Sequence, residues 1–118
     1  MKTKGEAKVL RIFISNTDKF KHTPLYEMVV FAAKRYGLSG ATVLKGIMGF
    51  GSSSEVRSLK FWEITEKLPV VVEIVDDAYK IEQFIKIILP WFENLRYGCM
   101  ITVEKTEIIL YKKGKKKD

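Results

Sequence analysis

Two amphipathic helical segments, each set between strand-like segments, limit the folds that this chain can adopt. Apolar residues recur at three- and four-residue spacing from Leu25 to Tyr36 and again from Ile81 to Leu95. Patterns typical of strands occupy residues 7–15, 41–50, 70–75 and 99–111. Because β-α-β crossovers are right-handed, the order β-α-β-β-α-β places both helices on one face of a four-stranded antiparallel sheet. We therefore predict an α+β, ferredoxin-like domain over residues 1–111, with a basic disordered tail at 112–118.

Local signals mark where the two helices begin and end. Thr23-Pro24 is typical of a helix start, and Gly37 is typical of the left-handed residue that ends one. Asp76-Asp77 predicts a cap for the second helix, because carboxylates favour helix N-termini. Pro90 lies inside the second helical pattern, where it removes a backbone hydrogen bond, and it therefore predicts a kink or a break.

Five glycines fall within the fifteen residues from Gly37 to Gly51. Glycine tolerates positive φ and lets another backbone or a ligand approach closely. We predict a second strand from Ala41 to Phe50 and a loop from Gly49 to Ser58. Two interpretations of this region stay open: a bulged strand that leads into a long hairpin turn, or a loop that binds a ligand or a partner protein.

The composition indicates a globular domain without a membrane span. Hydrophobic residues make up 47% of the chain, but their runs are short and interrupted by charge. Cys99 is the only cysteine and His22 the only histidine, which excludes an intrachain disulfide, fits the cytoplasm and leaves too few ligands for a zinc site of the usual kind. The abundance of Lys and Glu over Gln and Asn suggests a thermophilic source.

The net charge of +7 is concentrated at one end of the chain. Residues 112–118 carry five lysines and one aspartate, so the rest of the chain has a net charge of only +3. This weakens the inference of a nucleic-acid partner that a basic protein would otherwise invite. An RNA-binding ferredoxin-like domain, one alternative function, would also need aromatic residues in a Lys/Arg-Gly-Phe pattern on the central strands, and neither strand has it.

The sheet face opposite the helices is predicted to be apolar. Val9 and Phe13 on the first strand, and Val71 and Val75 on the third, alternate toward that face. Burying each such side chain is worth roughly 1.5–3 kcal/mol, so leaving several in water is costly. We therefore expect a closed oligomer whose sheets pack through their open faces.

Four stretches of the sequence carry a family pattern: Thr23–Glu27, Gly37–Val43, Gly46–Gly51 and Leu68–Asp76. Together with the element order, they resemble the PII-like superfamily of small trimeric signalling proteins. Within it, the chain is most similar to the uncharacterised branch, the domain of unknown function 190. The resemblance covers most of residues 7–111 and implies a homotrimer with ligand-binding clefts between its subunits.

The resemblance also implies what the clefts bind. Signalling members bind ATP or ADP, and some bind 2-oxoglutarate, so the expected ligand is an adenine nucleotide or another small anion, and no cofactor is identified. The predicted ligand-binding residues are Gly40, Thr42, Gly49, Phe50, Gly51, Ser52 and Arg57. Arg57 can meet an anion or remain a solvated surface charge.

The segment 49–67 is expected to dock on a partner, either a membrane transporter or an enzyme, without inserting into the membrane itself. Phe61 and Trp62 are the predicted docking residues. Together with Phe50 they can stack on an adenine, fill a pocket of the partner, or fold over the open core.

The chain departs from the signalling members at several places, two of which concern the expected ligand site. Ser52-Ser53 stand where those proteins carry a glutamine after Gly-Phe-Gly. Residues 94–100 replace their glycine-rich phosphate-binding loop, and of its features only one glycine, Gly98, and one cation, Arg96, have counterparts. The fold therefore carries over, whereas the standard mode of ATP binding does not follow.

No catalytic constellation occurs in the sequence, because no nucleophile has a histidine base beside it. We therefore predict that the protein is not an enzyme. The other alternative function is that of a CutA-like protein for tolerance of divalent metals, whose ligands would be limited to Cys99, His22 and carboxylates.

Overall fold

The structure is a computed structural model that describes residues 5–51, the backbone of residues 57–58, and residues 67–115. In chain order the elements are β1 (Ala7–Ser15), β2 (Lys19–Phe20), β3 (Thr23–Pro24), α1 (Leu25–Arg35), β4 (Thr42–Lys45), β5 (Met48–Gly49), β6 (Arg57–Ser58), β7 (Pro69–Asp77), α2 (Ala78–Glu93) and β8 (Met100–Thr106). Four strands form one antiparallel sheet in the order β4-β7-β1-β8, and both helices contribute to the core on one of its faces. The predicted α+β, ferredoxin-like fold is confirmed.

The core lies between the helices and the sheet. Side chains alternate along a strand, so every second residue of β1 and β7 faces the helices, while each helix turns one stripe toward the sheet. The buried residues are Leu10, Ile12 and Ile14 on β1; Val70, Val72 and Ile74 on β7; Leu25, Val29, Ala32 and Ala33 on α1; and Ile81, Phe84, Ile88 and Phe92 on α2. The periodicities of the sequence therefore identify most of this core, but Tyr36 and Leu89, which belong to the predicted helical stripes, are 50% and 39% exposed.

The opposite face of the sheet carries an apolar row. The strand register aligns one residue from each strand across the sheet, in the order Leu44, Val71, Phe13 and Met100. Leu44 is 53% exposed, Phe13 39% and Met100 60%, so the described part of the single chain leaves this row open to solvent. We call these four residues the open-face row.

Arg11 lies in the next row of the same face and joins three strands. Its Nε donates to Oε2 of Glu73 on β7 at 2.9 Å, and its Nη1 also bonds the carboxylate of Glu104 on β8. These hydrogen bonds, first the one that Arg11 donates to Glu104 and then the one that it donates to Glu73, raise the pKa of Arg11 above its usual value. The ion pair between Arg11 and Glu73 forms within one chain.

The second strand of the main sheet is shorter than predicted. β4 ends at Lys45, and the next strand, β5, pairs with β6 instead of extending β4. Between them, the N–H of Gly46 donates to the carbonyl oxygen of Pro69 at 2.7 Å as the chain leaves the sheet. The prediction of one strand from Ala41 to Phe50 is therefore wrong, and so is the prediction that residues 57–58 belong to a loop.

The sequence predicted a kink or a break at Pro90. α2 continues through Pro90 to Glu93, so the break is wrong. Proline removes only its own backbone hydrogen bond, and Pro90 lies near the C-terminal end of the helix. Phe92 is 4% exposed and anchors the last turn in the core, which compensates for the missing bond.

In α1, Pro24 is the N-cap residue and no side chain caps the helix, whereas Gly37 has the expected left-handed conformation with φ of 76°.

Asp76 does not cap α2 as predicted, because it belongs to the buried end of β7. Its Oδ2 accepts a hydrogen bond from the backbone N–H of Ser39 at 2.7 Å, and its Oδ1 accepts one from the N–H of Asp77 at 2.6 Å. Asp77 occupies the N-cap position without a side-chain capping bond. The Asp76 carboxylate therefore ties the connection between α1 and β4 to the end of β7.

The last strand also ends earlier than predicted. β8 covers Met100–Thr106, whereas the sequence predicted a strand from Cys99 to Tyr111. Beyond it, Ile109 is 85% exposed and Leu110 79% exposed, so apolar character alone did not produce pairing there. β8 pairs with β1, which begins at Ala7 opposite Thr106, so the ladder formed by the described residues ends at this pair.

Candidate functional site

A cavity of about 310 Å³ opens where the ends of several elements meet. It lies beside the end of β1, the start of β7, the residues after β5, and the turn between α2 and β8. Its lining residues are Phe13, Ile14, Ser15, Asp18, Gly49, Phe50, Gly51, Lys67, Leu68, Pro69, Val70, Tyr97, Gly98, Cys99 and Met100. A largely apolar wall with a few polar groups is the usual composition of a small-molecule site.

One wall of the cavity is formed by Gly49, Phe50 and Gly51. A Cβ atom at Gly49 would lie 3.1 Å from Cγ of Pro69, so the absence of a side chain lets β5 run close to the start of β7. Phe50 follows directly, and its side chain is 75% exposed. The glycine therefore sets the position of this wall, while the neighbouring aromatic ring remains available for contact.

Two cations lie near the ring of Tyr97, a residue that lines the cavity from the turn between α2 and β8. The Nζ of Lys67 lies 6.0 Å from the ring centroid of Tyr97, and the guanidinium carbon of Arg96 lies 5.6 Å from the same centroid. Both distances are within the range of cation–π contacts. Two cations on one aromatic ring at the edge of a largely apolar cavity favour an anionic ligand group there.

Asp18 forms a polar corner of the cavity. Its Oδ2 accepts a hydrogen bond from the N–H of Ser15 at 3.0 Å, and its own carbonyl accepts one from the N–H of Leu25 at 2.8 Å. The turn after β1 is thereby joined to the start of α1, and Asp18 is held only 1% exposed. Its other carboxylate oxygen, Oδ1, has no hydrogen-bond partner in the structure as described.

The surroundings shift two ionisation equilibria in the cavity. Burial raises the pKa of Asp18, opposed by the hydrogen bond from Ser15 and by the positive charge of Lys67. Cys99 is exposed as a residue, yet partial burial of its thiol, and then the charge of Asp18, raise the thiol pKa. The thiol is therefore protonated at neutral pH, and it is a poor nucleophile.

Within the described residues, no group of three or more His, Cys, Asp and Glu side chains is arranged to hold a metal ion. Likewise, none of the helices built from those residues is long and apolar enough to cross a membrane.

The sequence profile of one protein family matches residues 7–108. That family is described as "Uncharacterized ACR", the domain of unknown function 190. The chain belongs to this family. The resemblance seen in the glycine-rich stretch and the flanking motifs is thereby confirmed.

Two relatives and one solved structure place the family in context. The chain is 39% identical over 102 residues to a UPF0166 protein of Aquifex aeolicus, a match that covers 86% of this chain and 92% of the relative. It is 35% identical over 108 residues to a UPF0166 protein of Methanocaldococcus jannaschii, covering 91% and 94%. Its fold is similar to that of CPII, a nitrogen regulatory PII-like protein from Thiomonas intermedia, with a TM-score of 0.61, 15% identity and coverage of 88% and 93%. The domain of unknown function 190 in this chain therefore has a PII-like fold.

The structure brings some of the predicted ligand-binding residues together. Gly49, Phe50 and Gly51 line the cavity. Gly40 and Thr42 do not line it. Thr42 pairs with Glu73, which lies three residues along β7 from Val70 in the cavity wall. Glu73 and Val70 are therefore about 10 Å apart. The backbone of Arg57 pairs with Gly49 in the β5–β6 ribbon, which places residue 57 next to this wall. Ser52, Phe61 and Trp62 lie outside the described residues.

The sequence did not single out Asp18, Lys67 or Tyr97 as site residues. Asp18 and Lys67 lie 49 positions apart in the sequence, and only the sheet brings the end of β1 to the start of β7. No local pattern marks Asp18, which is an acidic residue in the turn between β1 and β2. The sequence placed 94–100 at the position of the phosphate loop, and Tyr97 and Gly98 of that turn do line the cavity.

Proposed function

We propose that this chain is a PII-like regulatory protein, not an enzyme, that binds a small anionic metabolite or nucleotide at the cavity described above. The observation that carries the proposal is the meeting of Gly49–Gly51 with Tyr97 and Lys67 around one largely apolar space of about 310 Å³. Apolar walls suit a planar ring, and the adjacent cations suit an anionic group. The structure of the similar-fold protein CPII is described as bound to ADP, AMP and bicarbonate, which supports this class of ligand.

The proposal includes a homotrimer in the cytoplasm, with ligand sites between subunits. Phe13 and Met100 belong both to the open-face row and to the cavity wall, so a subunit packed on the open face would also cover the cavity. In such an assembly Gly40 and Thr42 would contribute to the site of a neighbouring subunit, since they lie away from the cavity of their own chain.

Docking on a partner through the 49–67 segment completes the proposal. The residues that lead into this segment are apolar and open to solvent: Ile47 is 74% exposed, Met48 59% and Phe50 75%. Exposed aromatic residues and methionines are enriched in protein interfaces. The proposed partner is a transporter or an enzyme whose activity is regulated according to the ligand that this protein has bound. Phe61 and Trp62 are the further proposed docking residues.

The test is a calorimetric and thermal-shift panel of ADP, AMP, ATP, bicarbonate and 2-oxoglutarate. A ligand at a hundred times its Kd stabilises the native protein by about 2.7 kcal/mol, which is readily measured. Lys67→Ala should weaken anion binding about tenfold or more, because a charge-assisted hydrogen bond contributes about 1.5–3 kcal/mol.

Lys86→Ala is the matched control, since it removes the same charge from an exposed position on α2. It should leave the affinity unchanged. If the folded protein binds none of these ligands, or if both variants weaken binding equally, the cavity is not the ligand site.

A further inference from the structure

The unpartnered oxygen of Asp18 is the observation from which we start. Asp18 is 1% exposed, and its Oδ1 has no hydrogen-bond partner in the described structure. Burying a carboxylate oxygen without a donor carries a substantial free-energy cost, and nearly all buried polar groups in native proteins are paired. A buried acceptor that borders a cavity is instead explained if the donor comes from a ligand.

The groups around Asp18 do not supply a hydrogen-bond donor to Oδ1. Ser15 donates its backbone N–H to Oδ2, and Lys67 acts on Asp18 through its positive charge. Neither group gives Oδ1 a hydrogen bond. The thiol of Cys99 is held protonated in part by the Asp18 charge. A metal ion is not supported, because the described residues supply no cluster of three ligating side chains.

We propose that Oδ1 of Asp18 is the specificity-determining acceptor of the cavity and takes a hydrogen bond from a donor group of the bound nucleotide. This inference rests on the proposed function. The chemistry is that of an N–H or O–H donor, which a nucleotide offers either at the amino group of adenine or at the 2′-hydroxyl of the ribose. A nucleotide that lacks the donor leaves the buried oxygen unpaired, and such a mismatch is a strong source of discrimination.

The charges around the cavity predict how a nucleotide would be oriented in it. Lys67 and Arg96 flank the ring of Tyr97, so the phosphates are expected at that edge. Asp18 lines the cavity as an acidic group, which repels phosphate and accepts donors. The cavity therefore distinguishes the two ends of a nucleotide by the sign of the charge that each end meets.

The test measures the affinities of ADP, inosine diphosphate and 2′-deoxy-ADP for the wild-type protein and for Asp18→Asn by calorimetry. Inosine diphosphate lacks the amino group of adenine, and 2′-deoxy-ADP lacks one ribose hydroxyl, so the two probes separate the two possible donors. The wild type should bind ADP at least about tenfold more tightly than one of them, in line with the loss of a hydrogen bond to a charged acceptor. In Asp18→Asn the amide oxygen can keep the bond from Ser15, which turns the amide NH₂, a donor, toward the cavity, so this preference should disappear or reverse.

Glu82→Gln is the control, because it makes the same chemical change at a 54% exposed side chain near the start of α2. It should keep the wild-type preference. As a check that does not depend on the folding of a variant, the pKa of the Asp18 carboxyl in the wild type, followed by NMR, should fall when ADP is added, since a donated hydrogen bond favours the ionised form.

The outcomes separate the two proposals. If the wild type binds all three nucleotides equally, if Asp18→Asn keeps the full preference, or if ADP leaves the Asp18 pKa unchanged, the role of Asp18 is overturned while nucleotide binding stands. If the wild type binds none of the three, nucleotide binding fails and the role of Asp18 fails with it.

Discussion

Glycines in one stretch of this chain are present for different physical reasons. At Gly46 a Cβ atom would lie 2.7 Å from Cγ of Pro69 and 3.4 Å from its carbonyl oxygen, whereas at Gly40 nothing lies within 4 Å. Gly37 is needed for its positive φ. Close packing and backbone conformation therefore account for several of the glycines that the sequence alone left open to a ligand-binding interpretation.

Gly46→Ala should destabilise the protein by about 1–3 kcal/mol, because the added methyl group overpacks the contact with Pro69. Gly40→Ala should change the free energy of unfolding by less than about 0.5 kcal/mol, since its surroundings are open. Urea unfolding of both variants at one protein concentration measures the difference. Equal destabilisation by both would show that the Pro69 contact does not limit residue 46.

Asp18 gives stability a dependence on pH whose sign follows from its raised pKa. Because the native state holds this proton to a higher pH than the unfolded chain, the contribution is complete below the unfolded pKa of about 4 and is lost as the pH rises through the native pKa. Relative to Asp18→Asn, the wild type should therefore lose stability on going from pH 4 toward neutrality. Urea unfolding of the two proteins across that range tests this, and a flat or opposite difference would contradict it.

Single residues of the site were only partly predictable from the sequence. Gly49–Gly51 form a compact local motif, so they were identified. Asp18 and Lys67 are brought to the cavity by a contact between distant strands, and the Asp18 carboxylate loses its solvent there. No local pattern shows either effect. The same holds for Gly46, whose constraint is a proline 23 positions away.

At the level of elements, predictions from the sequence were most accurate where side chains alternate strictly between the two faces of a strand. The alternation in β1 predicted Ala7–Ser15 as observed. The predicted strand limits were wrong at β4, where the chain leaves the sheet at Gly46 beside Pro69, and at β8, where the partner strand β1 ends. Strand limits therefore depend on the partner as well as on the strand itself.

α2 offers a prediction at the same scale. Proline in a helix interior is about 3 kcal/mol less favourable than alanine, and Pro90 is exposed inside a helix that continues past it. Pro90→Ala should restore the backbone donor to the carbonyl of Lys86 and raise the free energy of unfolding by up to that amount. Denaturant unfolding measures the gain, with Gln83→Ala on the same helix as a reference. A variant that is no more stable than the wild type would show that the helix has already relaxed around the proline.

For the whole molecule, the sequence predicted the architecture because the order of two periodicities leaves few right-handed arrangements. It also predicted the apolar open face, since alternation along β1 and β7 assigns both faces of the sheet. Val9 is an exception, because it is only 7% exposed although it was predicted to lie uncovered on that face. What the order of elements cannot supply is the position of the cavity, which arises where four separate chain segments meet. The architecture thus follows from local patterns, and the site follows from their assembly.

The open-face row leads to the last prediction, that sheet-to-sheet packing holds the oligomer together. Leu44→Glu places a charge in this row, and an unpaired charge in an apolar interface is strongly destabilising. We expect this variant to have the mass of one chain by size-exclusion chromatography with light scattering, while the wild type has the mass of three. Phe31→Glu is the control, because Phe31 is 66% exposed on α1, away from the sheet, and this variant should remain a trimer. A monomeric wild type at micromolar concentration, or a trimeric Leu44→Glu, would show that the open face is not the subunit interface, and the placement of Gly40 and Thr42 at a neighbour's site would fail with it.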